Sequence, residues 1–391
     1  MERALASPIG SAPLRALAAG KHKVTILCSD HTRPVPSRCI LPPMLREVRA
    51  ASPDADITLL IATGMHRPTT AAELAEKFGP ELVRNERIAV HRCRDEASLV
   101  AVGTLPSGAP LVVNRLAAEA DLLLSEGFIE PHFFAGYSGG RKSVLPGVCG
   151  YQTVLGNHCA QFIASPCART GILADNPIHR DMLAAARMVR LAFLVNVVLG
   201  EDRNVAAAVA GDPEAAHAAG VAFLEKRCRT APRRPGDIVV TSNGGAPLDQ
   251  NLYQAVKGLT AAEAAAAPGA VLILCAACAD GTGGDGFYRA LRDCESPAAL
   301  LAAIERRAQS ETRPDQWEVQ ILARILARHR VLLVCGEAMR AAAAEMKLET
   351  AASLPEAFAR AEAAKGRDAH VVVIPDGVSV VVAPPAGPVS G

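Results

Sequence analysis

Histidine, lysine and arginine side chains fall in short glycine- and proline-marked segments directly after apolar runs, where a ligand would meet them. Asp30-His-Thr-Arg33-Pro and Thr63-Gly64-Met-His66-Arg-Pro each follow a β-rich run. The planar guanidinium of Arg33 suits bidentate recognition of a carboxylate, and Asp30 suits ribose hydroxyls. Thr63 and Gly64 can cradle a phosphate, with His66 beside them as a base. Taken alone, the first segment reads equally well as a helix-capping turn, and His66 as an ordinary loop residue. Residues 127–147 then gather His132, Phe133, Phe134 and the segment Ser138-Gly-Gly-Arg-Lys142-Ser, and His158 follows Gly156-Asn157. Imidazole moves protons near neutral pH or binds a borderline metal, and a lysine amine neutralises phosphate or becomes a covalent anchor. The spacing around Lys142 falls short of the full phosphate-loop motif, so by itself it is a weak nucleotide signal.

The second half carries Asp249-Gln-Asn-Leu-Tyr253-Gln254-Ala-Val-Lys257-Gly. Asp249 is expected to cap a helix on which Gln254 and Lys257, three apart, share a face. Trp317, the single tryptophan, is core or pocket wall on its chemistry alone, as are Phe133 and Phe134. Cys275-Ala-Ala-Cys278 has redox or metal spacing, but it closes an apolar run and no second pair accompanies it. A buried strand end is the expected reading.

Elements able to position these residues alternate along the chain. Residues 24–28, 57–61, 122–124 and 193–199 read as strands buried on both faces, with helical spacing over 40–51, 71–78 and 177–189. A second series has strands at 237–241, 271–274, 331–334 and 371–374, and helices at 250–267, 297–307, 316–327 and 354–364. The alternation predicts two α/β sandwich domains with mainly parallel sheets, whose ligands sit at the carboxyl ends of strands. The Arg- and Pro-rich stretch 226–235 marks the expected boundary, giving domains at 1–230 and 236–383 and a loose tail at 384–391. Ala206–Ala208, Ala264–Ala267 and Ala341–Ala344 read as helix-favouring runs.

The chain has 391 residues, half of them hydrophobic, and Lys plus Arg number 41 against 40 for Asp plus Glu. That balance gives no bulk field for nucleic acid or an anionic membrane, so a small ligand is expected. The eleven cysteines are scattered and odd in number, which argues against a disulfide framework. With no basic start leading into an apolar run, and no stretch of ~20 apolar residues, a cytoplasmic protein with reduced thiols is expected.

Together, the motifs around Asp30, Thr63, Gly127–Gly147, His158 and Asp249–Gly258 resemble those of the nickel-dependent lactate racemase family, over nearly the whole chain. The resemblance implies a racemase or epimerase of a 2-hydroxy acid, lactate or a close analogue. Its cofactor would be the nickel-pincer nucleotide (pyridinium-3-thioamide-5-thiocarboxylic acid mononucleotide nickel), made by dedicated biosynthetic enzymes. By the same resemblance Lys142 is the covalent tether, His158 the nickel ligand, and His66 and His132 the bases on either face of the substrate. Arg33 and Lys257 would hold the carboxylate, although a phosphate role for Lys257 stays open, and Gln254 would add a hydrogen bond. Phe134, Tyr253 and Trp317 would wall an interdomain cleft. Racemisation would run by hydride removal through a 2-oxo acid, which avoids building a carbanion beside a carboxylate. A nicotinamide-dependent 2-hydroxy acid dehydrogenase and a non-catalytic nickel-cofactor-binding protein are the alternatives. Against the first, no G-x-G-x-x-G opens a helix after the first strand. Against the second stands the pair His66 and His132.

Overall fold

The computed structural model describes residues 1–384; the tail expected at 384–391 lies, from residue 385 on, outside the described residues. Two compact units emerge. The first comprises residues 1–130, 137–157 and 175–226, and the second 131–136, 158–174 and 227 onward. The chain thus passes between units more often than a single boundary at 226–235 would require.

In the first unit, β1 (Lys23–Ser29), β2 (Asp56–Ala62), β3 (Arg87–Val90), β4 (Leu122–Phe128), β5 (Leu191–Leu199) and β6 (Val205–Gly211) form one sheet in the order β6-β5-β4-β1-β2-β3. All neighbours run parallel except β5 and β6. Near-continuous apolar strands fit a sheet covered on both faces, and Ile26, Leu59, Leu124 and Phe193 are buried. Helix α1 (Ser37–Ala51) lays Ile40, Met44 and Val48 in one row and Leu41 and Leu45 in the next, all buried, the stripe an amphipathic helix turns to a core. Helix α2 (Ala71–Asn85) packs against α1, and α3 (Pro177–Met188) packs against β5. Strand order reverses between β1 and β4, and such a switch point opens a crevice at the strands' carboxyl ends. Asp30 follows β1 there, and Ile129 and Glu130 follow β4.

The second unit has a fully parallel sheet of β7 (Gly236–Ser242), β8 (Ala266–Cys275), β9 (Arg330–Val334), β10 (Glu349–Ala351) and β11 (Val371–Ile374), ordered β10-β9-β8-β7-β11. Ile238, Val271, Ile273 and Leu332 form its core with Ala357 and Ala361. Its helices include α4 (Leu252–Ala265), α5 (Asp285–Arg292), α6 (Pro297–Glu305), α7 (Gln316–Arg328) and α8 (Leu354–Lys365). Mixed α/β architecture with mainly parallel sheets is therefore what the alternation anticipated. None of the described helices is long and apolar enough to cross a membrane.

Three expectations need correction. Ala206–Ala208, read as helix-favouring, lie in β6, where pairing to the otherwise open edge of β5 overrides alanine's helix preference. Asp249 does not cap α4; the cap is Asn251, whose Oδ1 accepts from Gln254 N at 3.0 Å. Asp249 instead accepts from Ala277 N at 3.1 Å. Ala264–Ala267 straddle the end of α4 and the start of β8. All eleven cysteines are free, and burial raises the Cys275 and Cys278 thiols, as suits a strand end rather than a redox pair.

Candidate active site

The site residues of the first unit gather around β1 and β2, which pair in parallel register with Ser29 opposite Ala62. That register sets the two following loops side by side, and Asp30 Oδ2 lies 2.6 Å from His66 Nδ1. Asp30 is 2% exposed. Burial alone would push its carboxyl up. The hydrogen bond and charge of His66, with Thr32 and Arg33, outweigh that and hold it at about 2. A carboxylate at Nδ1 fixes the ring with its proton on that side and leaves Nε2 as the acceptor, the tautomer a general base needs. Thr32 donates its hydroxyl to Asp30 Oδ1 at 2.6 Å and receives Arg33 Nη1 at 2.9 Å, linking the guanidinium to the same cluster. Half-buried Lys77 reaches across from α2 and donates to the Arg33 carbonyl at 2.9 Å, so the loop's backbone is held as well as its side chains.

Thr63 and Gly64, expected to cradle a phosphate, commit their donors to the chain itself. The Thr63 hydroxyl donates to the His91 carbonyl at 2.7 Å and Gly64 N to the Gly147 carbonyl at 2.9 Å. Gly147 N in turn donates to the Lys142 carbonyl at 3.2 Å, so the His66 loop and the Lys142 turn brace each other.

Lys142 sits in the tight turn Gly140–Ser143, and the two glycines before it are there for space. A Cβ on Gly139 would fall 2.7 Å from Asn196 Oδ1 and 2.8 Å from the Phe128 carbonyl, and one on Gly140 2.8 Å from the His217 ring. Both glycines also have positive φ, 74° and 55°, which other residues adopt only with strain. Asn196 Oδ1 accepts from Gly140 N at 2.8 Å. His217 Nε2 lies 2.8 Å from the Ser138 carbonyl and 3.2 Å from Arg141 Nη1. Burial and the Arg141 charge push that imidazole down to about 3, so it serves as a neutral buttress. Neither Asn196 nor His217 stood out in the sequence.

The second unit holds a chain of rings. His132 lies 4.5 Å from Phe134, Phe134 5.1 Å from His158, and His158 4.9 Å from Trp317, centroid to centroid. His158 is 6% exposed. His132 Nδ1 accepts from Ala135 N at 3.3 Å, which favours the tautomer carrying its proton on Nε2, opposite to that of His66. On α4, Lys257 Nζ donates to Gln254 Oε1 at 2.6 Å and lies 5.8 Å from the Phe133 centroid, within cation–π range. Tyr253 donates its hydroxyl to Asp315 Oδ1 at 3.1 Å. The side chain that sets this helix is Asn243, 1% exposed at the end of β7. Its amide donates to the carbonyls of Leu248 and Gln254 at 2.7 and 2.8 Å and accepts from Gly258 N at 3.0 Å. Asn243 was not singled out by sequence.

Among the described residues no group of three or more His, Cys, Asp or Glu side chains could hold a metal ion. A metal here would have to bring most of its ligands with it, and a lone imidazole enclosed by Phe134 and Trp317 fits that demand. The packed glycine turn fixes the backbone of Lys142, as a residue carrying a tethered group requires.

Residues 1–171 match the lactate racemase N-terminal domain and residues 231–382 the lactate racemase C-terminal domain. The chain belongs to the lactate racemase family. It is 51% identical over 382 residues to the lactate racemase of Thermoanaerobacterium thermosaccharolyticum, covering 98% of this chain and 89% of that protein. To the lactate racemase of Lactiplantibacillus plantarum it is 50% identical over 382 residues, covering 98% and 90%. Its fold superposes on the structure of the T. thermosaccharolyticum lactate racemase apoprotein with a TM-score of 0.96, at 51% identity and 98% and 91% coverage. This family member is accordingly an enzyme, an isomerase of the racemase type.

Proposed function

We propose that this racemase interconverts the enantiomers of lactate, or of a closely related 2-hydroxy acid, through a 2-oxo acid, using a nickel-pincer nucleotide tethered to Lys142. Support for lactate comes from relatives about half identical over nearly their full lengths. When bound, that nucleotide supplies an acceptor for the substrate's α-hydrogen as hydride.

The protein's own residues supply the rest. Arg33 and Lys257 hold the substrate carboxylate, Arg33 as a planar fork and Lys257 as a point charge steadied by Gln254. His66 Nε2 accepts the hydroxyl proton in one direction, and His132 serves the opposite enantiomer. Two-base racemisation needs one neutral histidine to accept the hydroxyl proton while the other, as imidazolium, returns one, and the Asp30 carboxylate at Nδ1 supports both states of His66. His158 would bind nickel, Asp30 would keep His66 oriented, and Phe134, Tyr253 and Trp317 would exclude water from the 2-oxo acid. Thr63 and Gly64 act in this scheme by shaping the loop that carries His66. Eleven free thiols support a reducing, cytoplasmic setting, and maturation would require cofactor-synthesising enzymes as partners.

The observation carrying this reading is the 2.6 Å contact between Asp30 and His66, which readies a base beside the arginine suited to a carboxylate. Peptide mapping of protein co-produced with the cofactor-making enzymes should place an added mass on Lys142. Lys142→Ala should lose the mass, whereas His158→Ala should keep it and lose nickel. An active racemase with unmodified Lys142 would overturn the assignment.

A further inference from the structure

One buried ionisable side chain of the second unit has no part in the chemistry above. Glu318 follows Trp317 in the first turn of α7 and is 0% exposed. Neither of its carboxyl oxygens has a hydrogen-bond partner. An ionised carboxylate so placed would give up its hydration for nothing, so the fold favours the neutral acid. The groups facing it are Lys257 and Tyr253 from α4, and Asp315 at the start of its own helix. Two other buried or half-buried cations at α7 are engaged elsewhere: Arg307 donates to Gln316 Oε1 at 2.7 Å, and Arg324 pairs with Glu263 of α4. The short helix Ala160–Ala164 has no ionisable residue, Asp285, Arg289 and Arg292 of α5 and Glu305 of α6 are exposed, and Tyr288 is half-buried.

We infer that Glu318 is a positioning residue that sets the charge available to the substrate carboxylate at Lys257. With its proton on, Glu318 leaves the ammonium to the substrate. With its proton off, a second anion inside the same site competes for it, and carboxylate binding weakens. The inference rests on the reading of Lys257 as a carboxylate-binding cation. Burial, opposed by Lys257 and reinforced by Asp315, pushes the Glu318 carboxyl up to about 8, which puts the switch just above neutral pH.

The test is the pH dependence of KM for lactate in the cofactor-loaded enzyme. Wild-type KM should rise about tenfold between pH 7 and pH 9, one decade for each pH unit above the ionisation. Glu318→Gln, which keeps the shape and cannot ionise, should hold KM within about twofold over the same range. A rise in Glu318→Gln matching the wild type overturns the inference. Lys257→Ala separates this from the underlying reading. If it raises KM while Glu318→Gln still follows the wild-type curve, the Glu318 inference alone fails. If it leaves KM unchanged, the carboxylate reading fails and this inference with it. Infrared difference spectra provide a readout without turnover, also usable should Glu318→Gln fail to fold. The wild-type apoprotein should show a buried carboxylic-acid carbonyl band near neutral pH that disappears on titration through pH 8. Its absence at neutral pH would overturn the inference.

Discussion

Replacing Asp30 by Asn tests whether the contact with His66 readies a base. The substitution conserves size but removes the charge, and an amide N–H facing Nδ1 would move the ring proton to Nε2, turning the base into a donor. Asp30 is held at about 2 against its ordinary 3.8, a preference for the ionised form of about 2.5 kcal/mol, or roughly 60-fold. Thr32 and Arg33 share in that preference, so the part belonging to His66 is smaller. Loss of the base tautomer adds to it, and general-base contributions run ~10²–10⁴-fold. The expected result is therefore a fall of ~10²-fold or more in kcat/KM, equal in the two directions because enantiomers have an equilibrium constant of one. Chiral chromatography of initial rates from each enantiomer would measure it, with nickel content and the Lys142 adduct checked to be unchanged. Nitrogen NMR of the His66 ring should show the proton moved from Nδ1 to Nε2. Acid unfolding gives a second handle. A carboxyl held low contributes stability that is fully present above 3.8 and is lost as pH falls through about 2. The stability gap between wild type and Asp30→Asn should close over that window. Full turnover in both directions with an unmoved ring proton would refute the reasoning.

Gly140→Ala should lose ~1–3 kcal/mol of stability, because its Cβ would meet the His217 ring at 2.8 Å with φ at +55°. Mass spectrometry should also find less adduct on Lys142, and a variant both stable and fully loaded would contradict the account of the turn. Asn243→Ala leaves two carbonyls and an N–H without their partner at the start of α4. Urea denaturation should register a loss of ~1–3 kcal/mol, and KM for lactate should rise more than kcat falls. An unchanged KM in the folded variant would show that Lys257 does not depend on Asn243.

Much of the fold was legible because the buried parallel strands of both units read as short apolar runs, and α1 carries its core residues at helical spacing. β6 was not, since an alanine-rich segment becomes a strand only when an open sheet edge recruits it. Strand-end position pointed to Asp30, Arg33 and His66, but their partnership was hidden. Asp30 and His66 lie 36 residues apart and meet only through the register of β1 with β2. Gly139 and Gly140 read as a poor phosphate loop because the side chains that forbid a Cβ there, Asn196 and His217, come from distant elements. Asn243 gave no signal among ordinary turn residues. Glu318 gave no signal either, because an acid in a helix's first turn is ordinary and its burial appears only in the fold.

In the proposed mechanism the α-hydrogen leaves as hydride and returns to the same carbon, while His66 and His132 handle only the hydroxyl proton. Racemisation of one lactate enantiomer, deuterated at C2, in ordinary water tests this directly by mass spectrometry of the opposite enantiomer formed. A hydrogen taken by a histidine as a proton would exchange with solvent, whereas one removed as hydride stays out of exchange. With hydride transfer the product enantiomer should keep its deuterium. Product that has lost its deuterium to solvent at the rate of racemisation would contradict it, and would make the histidines carbon bases instead.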